Sequence, residues 1–194
     1  MSDRTPTVDD ATLLAAHNDA INYTPISMQL PDRVQSDSHA IFGTLLKEHC
    51  IERYQCYGVV GKESVADSTD PVVVAIVQLG TKLDGHLGVV HGGILALLVD
   101  DVLGFSYEAL EHDERYQDIR VPMAVTANLN VNYRQPVPVN STLCIETYLT
   151  EHVGRKLVWT AKVVNAHDPS QVFCEVSSVY VIPRRIFEEM ESKS

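Results

Sequence analysis

The chain has 194 residues, 45% hydrophobic and 21% charged, which fits one globular domain with a substantial core and an extra N-terminal layer. Its formal net charge of −11 and sequence pI near 5.0 exclude long-range attraction to nucleic acid or an anionic membrane, so a phosphate-bearing ligand needs a local basic cluster. No stretch approaches the roughly 20 apolar residues of a membrane span. Cys50, Cys56, Cys144 and Cys174 lack the CxxC spacing of a zinc or redox pair and read as reduced structural thiols.

The opening "MSDRTPTVDDATLLAAHNDA" lacks the apolar run of a secretory signal and is too acidic for a transit peptide, so a cytoplasmic location is expected. Pro6, Pro25 and Pro31 interrupt any long helix, and one short helix is expected near "DDATLLAAHNDA". "SHAIFGTLLKEHC" sets Ile41, Leu45 and Leu46 on one helical face with Ser38 as cap, which predicts a docking helix. Residues 1–60 therefore read as an N-terminal arm with short helices, and residues 61–194 as the main domain. His17, His39, His49, His112, His152 and His167 have no neighbours at ligand-like spacing, and no chemistry is assigned to them.

"ADSTDP" is turn chemistry, and the pattern then changes to strands, beginning with the β-branched "VVVAIVQLG" at 72–80. Four more segments alternate apolar and polar residues: "VTANLNVNYRQPVPV", "TLCIETYLTEH", "KLVWTAKVVNA" and "VFCEVSSVYVI". In the first, Val125, Ala127, Leu129, Val131 and Tyr133 share a dry face, while Thr126, Asn128, Asn130, Asn132 and Arg134 share a polar one. One long apolar helix followed by four strands with short turns implies an α+β fold, an antiparallel sheet curled around that helix.

The helix is "GVVHGGILALLVDD" and its continuation. On a helical wheel Ala96, Asp100 and Gly104 fall within about 40–60° of Gly93, making one stripe of small residues and a carboxylate. Aliphatic residues cover nearly everything else, as in a helix buried on most sides. Asp100 then lies at the floor of a shallow groove, and Asp101, about 100° further round, leans out to water. Gly92 and Gly93 leave first-turn N–H groups open to a ligand oxygen, and the positive end of the helix suits an oxygen gaining charge. The same glycines also fit a plain strand-to-helix turn packed on a sheet. His91 and Asp100 lie on the order of 13 Å apart along the axis, so a site using both takes Asp100 from one copy and the turn from another.

"GVVHGGILALLVDDVLG" resembles the signature of hotdog-fold acyl-CoA thioesterases of the phenylacetyl-CoA-pathway type, and "TANLNVNYRQPVP" and "VGRKLVWTAKVVN" extend the likeness over residues 72–182. Within that family the chain also resembles the mammalian mitochondrial acyl-CoA thioesterases. The resemblance implies a hotdog fold, an acyl-CoA substrate, no metal or redox cofactor, and a homodimer or dimer of dimers with the site at the interface. It makes Asp100 the general base or nucleophile and the Gly93 N–H the oxyanion donor, with Gly92 shaping the turn. His91 would orient the thioester, and Thr126 would place the water or the carboxylate. Asn132, Arg134, Arg155 and Lys156 match positions that contact CoA, and three of them are cationic.

The chain departs from the family's pattern in three places. Gly85 stands where many relatives have Asn, leaving Asp84 or His86 to supply that contact; the charged "EALEHDERYQDIRVP" is longer than usual; and the first 60 residues lie outside the likeness. Two other readings stay open on the same scaffold, an acyl-thioester hydratase or dehydratase and a non-catalytic acyl-CoA-binding or partner-binding protein.

Overall fold

The computed structural model describes residues 9–18, 22–26, 36–60, 70–116 and 118–192. The interruptions expected at Pro6 and Pro31 and most of the "ADSTDP" turn lie outside these residues. Helix α1 (Asp10–His17) forms where a short helix was expected, and the Asp9 side chain accepts from the Thr12 N–H at its start. The docking helix is a short π-type turn, Ala40–Leu46, with Ile41 buried and Leu45 and Leu46 packed on the core. Ser38 does not cap it. His39 does, its Nδ1 accepting from the Ile41 and Phe42 N–H groups, because Ser38 is still part of a preceding 3-10 turn.

Seven antiparallel strands make one sheet: β1 (Asn22–Pro25), β2 (Ile51–Val60), β3 (Val73–Leu79), β6 (Val125–Tyr133), β7 (Thr142–Val153), β8 (Lys156–Asn165) and β9 (Asp168–Val181). Their spatial order is β1-β2-β3-β7-β8-β9-β6. A separate hairpin, β4 (Asp84–His86) and β5 (Val89–Val90), leads into helix α2 (Gly92–Ala109), and α3 (Arg184–Glu191) follows β9. The stretch expected to be an arm therefore gives two strands to the sheet, with Tyr54 opposite Val77 and Cys56 opposite Ala75. The short-helix reading missed them because "IERYQCYGVV" carries a mixed polar pattern, suited to a strand buried unevenly on its two faces.

The run "VVVAIVQ" is apolar without alternation because both faces of β3 are covered. Val73, Ala75, Val77 and Leu79 join the core around α2, whereas Val74 and Ile76 join a second cluster with Leu13 and Leu14 of α1. Helix α2 buries Leu95, Leu98, Val99, Val102, Leu103 and Phe105, so the apolar helix is the centre of the wrap, as the pattern required. The charged stretch after it folds into two 3-10 turns, Leu110–His112 and Glu114–Tyr116. Arg115 holds them, clasping Asp113 and donating to the Asp70 and Pro71 carbonyls.

Strand β6 is an outer strand of the sheet, and its nominally dry face is not dry: Val125 is 45% and Tyr133 52% exposed. Alternation does not hold along the whole strand: a register shift between Thr126 and Asn128 turns Thr126 off the expected polar face and toward α2, the side that Leu129, Val131 and Tyr133 also face.

Candidate active site

The turn before α2 is built by close backbone packing. Asp84 Oδ2 accepts from the Gly88 N–H at 3.2 Å, and Gly88 has φ +76, a conformation that favours glycine. A Cβ on Gly85 would lie 2.8 Å from His91 Cα, so the His91 backbone occupies the space that a side chain at 85 would need. Asp84 closes the hairpin, and His86 is exposed.

His91 caps α2 with its own ring, Nδ1 accepting from the Gly93 N–H at 2.9 Å. A neutral imidazole that accepts at Nδ1 carries its hydrogen on Nε2, so the exposed His91 presents a donor outward. The expected oxyanion donor, the Gly93 N–H, is thereby engaged. The neighbouring Gly92 N–H forms no hydrogen bond among the described residues. Tyr133, not singled out in the sequence, donates from its hydroxyl to the Gly92 carbonyl at 2.7 Å. Its ring sits where a Gly92 Cβ would come within 3.1 Å. An exposed tyrosine on an alternating strand gives no sequence signal of such a contact.

Asp100 lies two turns further along α2. Its Oδ1 accepts from Thr126 Oγ1 at 2.8 Å and from the Tyr180 hydroxyl at 2.8 Å. Thr126 and Asp100 are thus brought together as the resemblance implied, while Tyr180 is new to the site. Gly93, Ala96, Asp100 and Gly104 all keep some exposure, so the small-residue stripe is an open groove. Asp101 does not lean out to water. Its side chain is 13% exposed, accepts from the Tyr54 hydroxyl at 2.8 Å and faces His39 Nε2 at 3.4 Å. The wheel placed its direction correctly, but β2 and the docking helix fill the space there. Burial, opposed by the Tyr54 hydrogen bond and the His39 charge and reinforced by Asp100, raises its pKa from the ordinary value.

The four CoA-contact candidates do not form one cluster within a protomer. Asn132 lies opposite Glu175, and Lys156 opposite Val181, which are six residues apart on β9, on the order of 20 Å along a strand. Arg134 is paired with Glu175, its Nε 2.8 Å from Oε2, and Asn132 donates to Asn130 at 3.3 Å. Arg155 donates to the Ile182 carbonyl at 3.1 Å, and Lys156 is exposed. Beside that turn opens a cleft of about 420 Å³ whose lining includes Arg120, His152 and Phe187.

Two histidines without assigned chemistry prove to be polar anchors, His39 on Asp101 and His17 on Glu146 at 3.2 Å. His17, Cys144 and Glu146 bring one donor atom each within 4.8 Å of one another. Glu146 is already engaged there by His17 and, at 2.9 Å, by the Tyr148 hydroxyl.

An antiparallel sheet wrapped on one long helix, with a glycine turn at the helix start and a carboxylate two turns on, is the hotdog fold. Residues 87–171 match the Thioesterase superfamily. Among curated proteins, the chain is 28% identical over 109 residues to the acyl-coenzyme A thioesterase THEM4 of Xenopus laevis, covering 56% of this chain and 44% of that protein. It is 30% identical over 108 residues to THEM4 of Bos taurus, covering 56% and 40%. The chain thus matches less than half the length of these relatives. Among solved structures, a hypothetical thioesterase protein from Streptococcus pneumoniae TIGR4, crystallised with coenzyme A, superposes with a TM-score of 0.50 at 18% identity, over 68% of this chain and 89% of that one. No helix among the described residues is long and apolar enough to cross a membrane.

Proposed function

We propose that this chain is an acyl-CoA thioesterase that works as a homodimer, with Asp100 of one protomer facing the partner's Gly92 turn. The observation that carries this reading is the state of the Asp100 carboxylate: Oδ1 is held by two hydroxyls, and Oδ2 has no hydrogen-bond partner among the described residues. It stands on a groove of small side chains, beside an edge strand that one protomer leaves open. The match of 87–171 to the Thioesterase superfamily and the names of the curated relatives support the same chemistry.

Hydrolysis then runs as follows. The thioester carbonyl oxygen accepts from the Gly92 N–H, where the positive helix end stabilises the charge that develops. Asp100 Oδ2 takes a proton from water, the water oxygen bonds to the carbonyl carbon, the C–S bond breaks, and the proton passes to the departing thiolate. His91, with its Nε2–H outward, orients the thioester. Within one protomer Gly92 and Asp100 are about 12 Å apart along the helix, too far to share one carbonyl.

Helix and strand geometry favour the two-fold arrangement. Tyr133 touches Gly92 and Thr126 touches Asp100, so β6 and α2 run in opposite directions. A two-fold axis that pairs β6 with its copy about Leu129 sets Thr126 opposite the partner's Asn132. It also carries Arg155 and Lys156 to the partner's Asn132 and Arg134 end, reassembling for the CoA phosphates the basic cluster that one protomer splits. Arg120 extends it along the adjoining cleft, which Asp118 and His152 also line. The N-terminal sequence favours a cytoplasmic location and the family resemblance a mitochondrial one, and cell fractionation decides between them.

A thiol-release assay across short, long and aryl acyl-CoAs tests the activity, with release expected for at least one class. CoA binding without thiol release would favour a binding protein instead, and a change in enoyl absorbance without thiol release a hydratase.

A further inference from the structure

We infer that Tyr180 is a positioning residue for Asp100, fixing the carboxylate so that Oδ2 alone is presented to the reaction; this rests on the thioesterase reading. Tyr180 is 3% exposed on β9 and stands opposite Thr126 in the β6–β9 register. The two side chains approach Asp100 Oδ1 together, Thr126 from the exposed side and Tyr180 from the core, each at 2.8 Å. The phenol also lies 2.7 Å from the Asp100 main-chain carbonyl, so its single hydrogen is shared between the side chain and the helix that carries it. Both donors converge on Oδ1, which leaves Oδ2 as the carboxylate oxygen without a partner among the described residues.

The hydroxyl is not explained by packing. A phenylalanine would fill the same volume, and a buried phenol adds the cost of a polar group unless it finds a partner. Burial, together with the negative charge of Asp100 and Asp101, holds the Tyr180 phenol far above its ordinary range, against the opposing Thr126 hydrogen bond. Tyr180 therefore stays a protonated donor at any working pH and does not relay the proton itself.

The test compares wild type, Tyr180→Phe, Tyr180→Leu, Thr126→Ala, the Tyr180→Phe/Thr126→Ala double variant and Asp100→Asn by thiol release, with turnover normalised to folded protein by circular dichroism. Tyr180→Phe is expected to keep its melting temperature and its KM within about twofold while kcat falls about tenfold, the scale of one hydrogen bond to a charged group. The double variant is expected to fall by more than the product of the single losses, because either donor alone still restrains Oδ1. A purely structural tyrosine gives the opposite pattern: kcat of Tyr180→Phe within twofold of wild type, with only Tyr180→Leu losing stability. That outcome, with wild type active and Asp100→Asn inactive, overturns the inference and leaves the thioesterase reading standing. Wild type without thiol release, or Asp100→Asn as active as wild type, overturns both.

Discussion

Asp100 and Asp101 are consecutive on one helix yet are held by different parts of the fold: Asp100 by Thr126 and Tyr180 across the sheet edge, Asp101 by Tyr54 and His39 on the N-terminal side. The chemistry should divide in the same way. Asp100→Asn keeps the acceptor for both hydroxyls and is expected to fold and bind CoA as wild type does, with turnover reduced at least about a hundredfold, the scale of a lost general base. Thiol release and calorimetry with CoA check the two halves of the statement.

Asp101 predicts a pH effect on stability. Its pKa is raised in the folded chain, chiefly by burial, so between the unfolded value, about 4, and the raised folded value the native state binds more protons than the unfolded state. Stability therefore falls as pH climbs through that window, the reverse of the usual acid-denaturation sign. Asp101→Asn, which still accepts from Tyr54, removes this loss. The melting temperature of the variant relative to wild type should rise as pH climbs from about 4 through that window. A flat difference across that range would contradict the assignment.

A methyl group at residue 85 should damage the turn without touching any reacting atom. The clash is with His91 backbone at 2.8 Å, which cannot swing away as a side-chain end can. Gly85→Ala is expected to lower kcat by about tenfold or more and stability by about 1–3 kcal/mol, read by thiol release and denaturant melts.

The shared site is tested by mixing subunits. Asp100→Asn and Gly92→Val are each expected to be inactive, the second because Tyr133 already fills the space above Gly92. Refolded together in equal amounts, they form hybrids holding one intact site each, and about a quarter of wild-type turnover should return. A mixture as inactive as its parents would overturn a site that joins Asp100 of one protomer to the partner's Gly92 turn.

Outside the site, Asp10 is a buried carboxylate held by Arg53 and Tyr57, with its Oδ1 unpartnered among the described residues. Arg53→Met leaves that charge uncompensated and is expected to cost about 2 kcal/mol, less than a fully buried pair because Arg53 is itself 42% exposed. Adding Asp10→Leu should recover most of the loss in denaturant midpoint.

Much of this is legible in the sequence. The apolar helix and the strands from residue 72 onward follow from periodicity, and the nearness of Thr126 to Asp100 from the family resemblance. What escaped depended on contacts between distant segments. Tyr180 reads as one more core tyrosine, since nothing along "VSSVYVI" shows that its hydroxyl meets a helix eighty residues away. Asp101 was aimed correctly by the wheel, but the wheel does not show that Tyr54 and His39 wait there. Sequence gives the sign of Arg134, Arg155 and Lys156 and not their separation along β9.

The pairing of β2 with β3 sets a limit on how the gene can be trimmed. A shortened protein beginning at residue 61 would lose β2 and leave β3, apolar on both faces, as a raw border with unsatisfied amides. Such a border recruits strands from other molecules. Expression of a minimal domain should therefore start ahead of Asp9, where α1 and both early strands stay attached and the β3 border stays covered.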